Sequence, residues 1–491
     1  MGKKQKNADK GIYDARTLGR PKMLILGAQH MFAMFGATIL VPMITGLDVS
    51  TTLLMAGLGT LLFHVLTKFK VPAFLGSSFA FLGGYAAVKS MAPEGTDPNS
   101  MLPYACLGVA CAGLVYFVLA AIIKVVGIER VIRFFPPVVT GPIIIAIGLG
   151  LAPSAVQNCT TNWVLALVAL AVIVIFNIWG RGMMKIIPII LGLVISYAVG
   201  LLLYYIGEAN PSLIQDMPWL FSGGSEPVRD SAGKVIATNY LPIFDFSFLH
   251  ELLDNIGSGH IFGNNSLIDI PVSWNKTVFG GVDWSNGTVI VSAVIAIMPI
   301  SLATMMEHIG DISAISSTVG KNYIKDPGLH RTLLGDGMAT SLASLFGGPA
   351  NTTYGENTGV LALTKVYDPK VIRIAAWFAA AASFFPIVAA RIGTIPSSII
   401  GGISLMLYGM ISAVGVRNLV ENKVDFTKSR NLIIAAVILV CALGLGSDTV
   451  SFPVGSATVT LSPLAVASIA GIVLNAIFPD KEQSFKTKEN K

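Results

Sequence analysis

The chain has 491 residues, 53% of them hydrophobic and only 12% charged, with a mean hydropathy of +0.71. A soluble domain carries roughly 25% charged residues, so this composition excludes an ordinary soluble enzyme and points to a chain that crosses a membrane many times. The net charge of +6 is spread as short Lys and Arg clusters between apolar runs, a pattern that orients membrane spans and not one that grips nucleic acid.

Residues 1–22 are polar and basic, without the short apolar core and small-residue cleavage site of a signal peptide, and read as a cytoplasmic leader. Apolar runs then begin near Met23, Thr51, Phe74, Leu102, Val138, Trp163 and Ile186, forming a first unit over residues 23–206. Residues 207–287 hold Trp219, Trp274 and Trp284, many Gly and Asn, and more acid than base. They read as an external loop whose fragments alternate too weakly to decide whether a hairpin forms. Runs resume near Val289, Leu329, Thr352, Val371, Pro396, Asn431 and Leu461, forming a second unit over residues 288–479 before a cytoplasmic tail at 480–491. The reading is an all-α polytopic membrane protein of about fourteen spans, with membrane lipid as its surroundings. Cys106, Cys111, Cys159 and Cys441 lie in or beside apolar segments without metal-ligand spacing, and read as packed thiols.

With the N-terminus inside, 28 of the 33 basic residues face the cytoplasm, all but Lys89, Arg229, Lys234, Lys276 and Arg391. An odd number of spans per half inverts the second half against the first, the layout of an inverted-repeat transporter. Two internal echoes support it. Each half opens with a polar pair in an apolar span, Gln29-His30 and Glu307-His308, and each has one interrupted segment, Gly76–Phe79 and Asn351–Glu356. Paired broken segments mark a binding site near the midplane.

A carboxylate at the centre of a span costs roughly 2.5–3.5 kcal/mol on insertion scales, so each such residue needs a partner or a task. Glu307 and Asp311 share one helical face at i, i+4, where two carboxylates in low dielectric raise each other's proton affinity, as proton coupling requires. Glu356 follows Gly355 at the start of a broken segment, where freed amide groups meet a ligand's carbonyl while the carboxylate accepts an N–H. Asp336, between Gly335 and Gly337, and His30 in the first span are further candidates for proton handling, each with packing as the alternative. Acceptor carboxylates beside amide donors suit a small planar ring bearing N–H and C=O groups, walled by aromatic residues such as Phe79 and Tyr408. No nucleophile–base pair, metal cluster or phosphate loop points to an enzyme, and the only coupling species expected is a proton, with no cofactor.

At these residues the sequence resembles a known family. Gln29–Thr38 running on to Val41-Pro42, Gly76–Phe81, Gly328–Arg331, and Asn351–Val360 continuing to Thr364-Lys365 are similar to motifs of the nucleobase–ascorbate (nucleobase–cation symporter-2) transporters, and of their uracil-type members in particular. The resemblance covers nearly the whole chain outside the 207–287 loop. It implies two inverted seven-span repeats, a core and a gate domain, and short strands in the broken third and tenth spans. It also implies uracil:proton symport in the cell membrane, and a homodimer. In such members the positions of Glu307 and Glu356 contact the ring, Glu307 is linked to the proton, and the backbone amides of Phe79 and Gly355 meet ring carbonyls. Tyr354 flanks the site and Tyr408 approaches it from the gate. One departure stands out: uracil-type members carry a histidine at Asp311, where purine-type members have aspartate. A xanthine or purine symporter of the same fold is therefore the alternative substrate reading.

Overall fold

The computed structural model describes residues 11–127, 130, 136–229, 235–259, 261–263, 266–445, 450–454 and 457–478, and at residues 228–229, 235–237, 356, 451–454 and 457–460 the backbone alone. The first half runs α1 (Arg20–Thr45), α2 (Val49–Leu66), β1 (Leu75–Ser77), α3 (Leu82–Lys89), α4 (Leu102–Val126), α5 (Pro137–Cys159), α6 (Trp163–Trp179) and α7 (Pro188–Ala209). A connecting region holds β2 (Gly224–Arg229), β3 (Val235–Leu241) and α8 (Ser247–Gly257). The second half runs α9 (Gly287–Ile297), α10 (Ser301–Val319), α11 (Leu329–Leu345), β4 (Asn351–Thr353), α12 (Gly355–Thr364), α13 (Pro369–Ala382), α14 (Pro386–Gly393), α15 (Ser397–Glu421) and α16 (Ser429–Leu439). It closes with β5 (Val450–Val454), β6 (Ala457–Leu461) and α17 (Pro463–Ile477).

Helix ends follow local chemistry. Helix α1 starts with Pro21 in its first turn and stops at Gly46, whose φ of 87° lets its amide bond back to the Pro42 carbonyl. Asp48 caps α2 by accepting from the Thr51 amide at 2.9 Å, and Asn162 caps α6 from the Leu165 amide at 3.1 Å.

A helix or strand begins within three residues of each expected span start. Seven segments among the described residues are long and apolar enough to cross a bilayer, and the α13–α14 pair, bent by 82°, makes an eighth. The others are shorter or broken, above all the third and tenth, each a short strand followed by a short helix.

Packing obeys an exchange of the two halves. Helix α5 packs on α15, α2 on α11 and β1 on β4, each element meeting its own counterpart. The remaining major contacts come in matched couples: α4 on α11 with α13 on α2, α4 on α9 with α13 on α1, α6 on α15 with α16 on α5, and α6 on α7 with α16 on α17. An inverted repeat about an axis in the membrane plane produces this pairing. Small residues allow it. A Cβ at Gly148 would strike the Tyr408 carbonyl across the α5–α15 crossing, and one at Gly113 would lie 2.7 Å from the Gly337 carbonyl across α4–α11.

The 207–287 region does form a hairpin, pairing Gly224 with Leu241 and continuing to Arg229 with Val235. Beyond it, Leu249 and Leu252 on the apolar face of α8 pack on Ala390 and Ile387 of α14. Near the N-terminus, Ile12 exchanges backbone hydrogen bonds with Lys365 and Tyr367, pinning the leader to the start of the eleventh expected span.

Candidate functional site

The two broken segments meet each other. Strand β1 pairs antiparallel with β4, Leu75 opposite Thr353, Gly76 opposite Thr352 and Ser77 opposite Asn351, all six buried. Isolated strands in a bilayer would strand their amides, and pairing them with each other satisfies the backbone where neither span is helical. Side chains extend the pairing: Thr60 donates to the Leu75 carbonyl, Thr340 to that of Asn351, and the Asn351 amide to that of Met55. The Tyr354 hydroxyl donates to the Ser77 carbonyl at 2.8 Å and receives a longer bond of 3.3 Å from Thr38. Gly76 is required here, since a Cβ on it would lie 2.6 Å from both Thr38 Oγ1 and the Tyr354 ring.

Helix starts surround this crossing. Gly355 is the first residue of α12, and Phe79 opens the 3₁₀ turn Phe79–Phe81 after β1. Both therefore present amides that their own helices cannot satisfy. Phe79 packs against two apolar clusters, one containing Tyr354 and the other Tyr408 of α15.

Helix α10 brings polar side chains to the same place. Thr353 Oγ1 donates to Asp311 Oδ2 at 2.7 Å and lies 3.5 Å from His308 Nδ1. His308 Nδ1 in turn lies 3.4 Å from Asp336 Oδ2, with both side chains wholly buried. The flanking glycines explain that burial. A Cβ at Gly335 would fall 2.8 Å from the Phe63 ring, and one at Gly337 would fall 2.5 Å from Tyr116, so α2 and α4 close over Asp336 from both sides. Neither Asp336 oxygen has a hydrogen-bond partner among the described residues, and the imidazole faces Oδ2 at 3.4 Å.

Within the protein, Asp336 is thus the more deeply buried carboxylate, beside the i, i+4 pair Glu307 and Asp311. Glu307 is exposed and Asp311 half-buried, one helical turn apart on α10. His30 is buried but sits elsewhere: its carbonyl accepts from the Asn357 side chain at 3.2 Å, and its Nδ1 lies 3.3 Å from the same nitrogen. It ties α1 to α12 and does not join the His308–Asp336 group. The Glu356 side chain lies outside the described residues; its backbone stands in the first turn of α12.

The profile of the Permease family (Xan_ur_permease) matches residues 21–450. The chain belongs to this family. The permease is 38% identical to the uracil permease of Bacillus caldolyticus over 96% of its own length and 95% of that protein. It is 36% identical to the uracil permease of Bacillus subtilis (strain 168), covering 94% of each chain. With the uracil permease of Escherichia coli (strain K12) it shares 33% identity over 92% of its length and 90% of the other. Among solved structures, the transmembrane domain of the cyanobacterial bicarbonate transporter BicA superposes with a TM-score of 0.57 at 14% identity, covering 94% of the permease and 99% of that domain. SLC26A9 gives a TM-score of 0.58 at 12% identity, covering 95% of the permease and 66% of the other chain. At such identities the likeness is one of fold, and both share the inverted-repeat architecture.

Three residues of the permease's polar network escape a reading of spacing alone. His308 and Thr353 stand inside segments that the sequence marks, yet nothing in their spacing says that they touch across 45 residues of chain. Asn357 follows Glu356, and its link to His30 spans 327 residues.

Proposed function

We propose that the permease imports uracil by proton symport through alternating access of a core against a gate domain. The observation that carries the reading is the β1–β4 crossing. Phe79 and Gly355 open the helical turns that follow its two strands, and Asp311 of α10 reaches it through Thr353, which supports a polar site at this place. The permeases of B. caldolyticus, B. subtilis and E. coli, named for uracil and similar over nearly the full chain, support the substrate.

In this reading Glu307 and Glu356 accept the ring N–H groups, and the amides of Phe79 and Gly355 donate to the ring carbonyls. Glu307 carries the coupling proton when the site opens outward, with Asp311 one helical turn away to exchange it; Asp336 and His30 serve from behind. Neutralising Glu307 while the ring is bound lets the site cross between access states without a net buried charge. No cofactor takes part, and the chemistry is transport without change to the substrate. Both termini lie in the cytoplasm, and the working form is a homodimer.

The test is uptake of radiolabelled uracil by proteoliposomes, with and without an inward proton gradient. Accumulation that collapses on adding a protonophore and is competed by uracil but not xanthine supports substrate and coupling together. Uptake of xanthine in place of uracil rejects the substrate. Uptake that only equilibrates rejects the proton. Glu307→Gln is expected to lose uphill accumulation, and full pH-dependent accumulation by that variant would remove Glu307 from the coupling role.

A further inference from the structure

We infer that the buried His308–Asp336 pair is a proton-holding site behind the substrate cavity, and that the Thr353 hydroxyl is the bridge through which it exchanges a proton with Asp311. The inference rests on the proton-symport reading above, but its geometry stands apart from the residues proposed to touch substrate. Four groups stand in sequence: Asp311 Oδ2, Thr353 Oγ1 hydrogen-bonded to it at 2.7 Å, His308 Nδ1 at 3.5 Å from that hydroxyl, and Asp336 Oδ2 facing the imidazole at 3.4 Å without a hydrogen bond.

Charge sets what the pair must do. Asp336 and His308 are wholly buried, and an ionised carboxylate in such a place is tolerated only when a neighbour cancels its charge. With Asp336 ionised and the ring neutral with its one proton on Nε2, the bare Nδ1 turns a lone pair toward the carboxylate and the pair carries a net negative charge. A proton on Nδ1 converts repulsion into an ion pair of zero net charge. His308 Nε2 has no hydrogen-bond partner among the described residues, so Nδ1 is the nitrogen through which the ring trades protons.

The step balances. A proton leaves Asp311 Oδ2 for Thr353 Oγ1 as the hydroxyl proton of Thr353 passes to His308 Nδ1. One O–H bond breaks at Asp311, one N–H bond forms at His308, and the threonine ends as a hydroxyl. A hydroxyl suits the role because it donates and accepts and rotates between partners. The reverse sequence returns the proton to Asp311, one turn from Glu307.

Other ionisable groups around the pair are few. On α10 these are Glu307 and Asp311. From α11, Arg331 is directed to the Leu66 carbonyl at 3.3 Å. From α4, the Tyr116 hydroxyl is engaged with Thr304 at 2.6 Å. From α2, the Phe63 ring meets His308 edge-on at 6.3 Å, and the neighbouring His64 is held by the Ala73 carbonyl at 2.9 Å. None of the contacts named here offers Asp336 a cation in place of His308.

Nitrogen-15 NMR of the full-length protein, labelled at its six histidines and held in lipid nanodiscs, reads the pair without any substrate. His308→Gln assigns the signal. The expected result is a His308 ring protonated at both nitrogens over part of the range from about pH 5 to 8, becoming neutral throughout in Asp336→Asn. In proteoliposomes, Thr353→Val is expected to keep uracil affinity within about threefold while uphill accumulation falls to equilibration, with Thr353→Ser restoring it. A His308 neutral at every pH in the unaltered protein, or Thr353→Val accumulating like the parent, overturns the inference. If the parent transports no uracil, the substrate reading fails, and the NMR measurement still decides on the pair.

Discussion

Tyr354 donates its hydroxyl to the Ser77 carbonyl 2.8 Å away, so a side chain of the second repeat is fastened to the backbone of the first at the place where both spans break. Helix α12 begins directly after Tyr354 and the Phe79 turn directly after Ser78, so this one bond fixes the spacing of two helix starts. Pre-set helix starts are what a ligand carbonyl needs, because donors already aimed need not be ordered on binding.

Removing that hydroxyl tests the fastening. Tyr354→Phe keeps the ring among its apolar neighbours and deletes one buried hydrogen bond, a loss of about 0.5–1.5 kcal/mol. The melting temperature in detergent is expected to fall by a few degrees, with uracil affinity weakened and the proton dependence of uptake intact. An unchanged melt and unchanged affinity would show that the bond fixes nothing.

Gly76→Ala attacks the same crossing by volume. Its Cβ would lie 2.6 Å from both Thr38 Oγ1 and the Tyr354 ring, and overpacking of this sort costs about 1–3 kcal/mol. The variant is expected to melt lower and to bind poorly, because β1 cannot close on β4. Gly83→Ala in α3, where nothing lies within 4 Å of the new atom, is the matched control and is expected to keep the parent's melt.

Glu356 stands in the first turn of α12, next to the amide of Gly355. Glu356→Ala is expected to abolish measurable uracil binding by calorimetry, since it removes the acceptor proposed for one ring N–H. Glu356→Gln keeps the shape and offers both a donor and an acceptor, and is expected to retain weak binding with a broader choice of bases. Equal uracil affinity in the alanine variant would take Glu356 out of the site.

Asp311 receives the Thr353 hydroxyl at 2.7 Å and is half-buried. Asp311→His is expected to preserve accumulation, because an imidazole nitrogen also accepts from that hydroxyl. The pH dependence of uptake should move toward the ordinary imidazole range near about 6.5, with protonation favoured below it and lost above. Asp311→Leu is expected to leave only equilibrating uptake. A pH profile identical in all three proteins would exclude Asp311 from proton transfer.

The sequence by itself determined the class, the repeat and the two segments where the spans break. Apolar runs of bilayer length are written in consecutive residues, so their starts are readable to within three positions without knowing what they pack on. The broken segments are legible for the same local reason: Gly76-Ser77-Ser78 and Asn351-Thr352-Thr353 are poor helix formers wherever they stand. Only the tertiary structure decided which polar groups meet. The i, i+4 rule brought Glu307 and Asp311 together on one helix, but burial depends on what covers that helix, and α2 and α4 close over Asp336 because Gly335 and Gly337 leave them room. Likewise the His308–Thr353 and His30–Asn357 contacts join residues 45 and 327 positions apart. Periodicity carries no information about distances between separate helices. That pairing is set by how two inverted halves interlock, a property of three-dimensional packing.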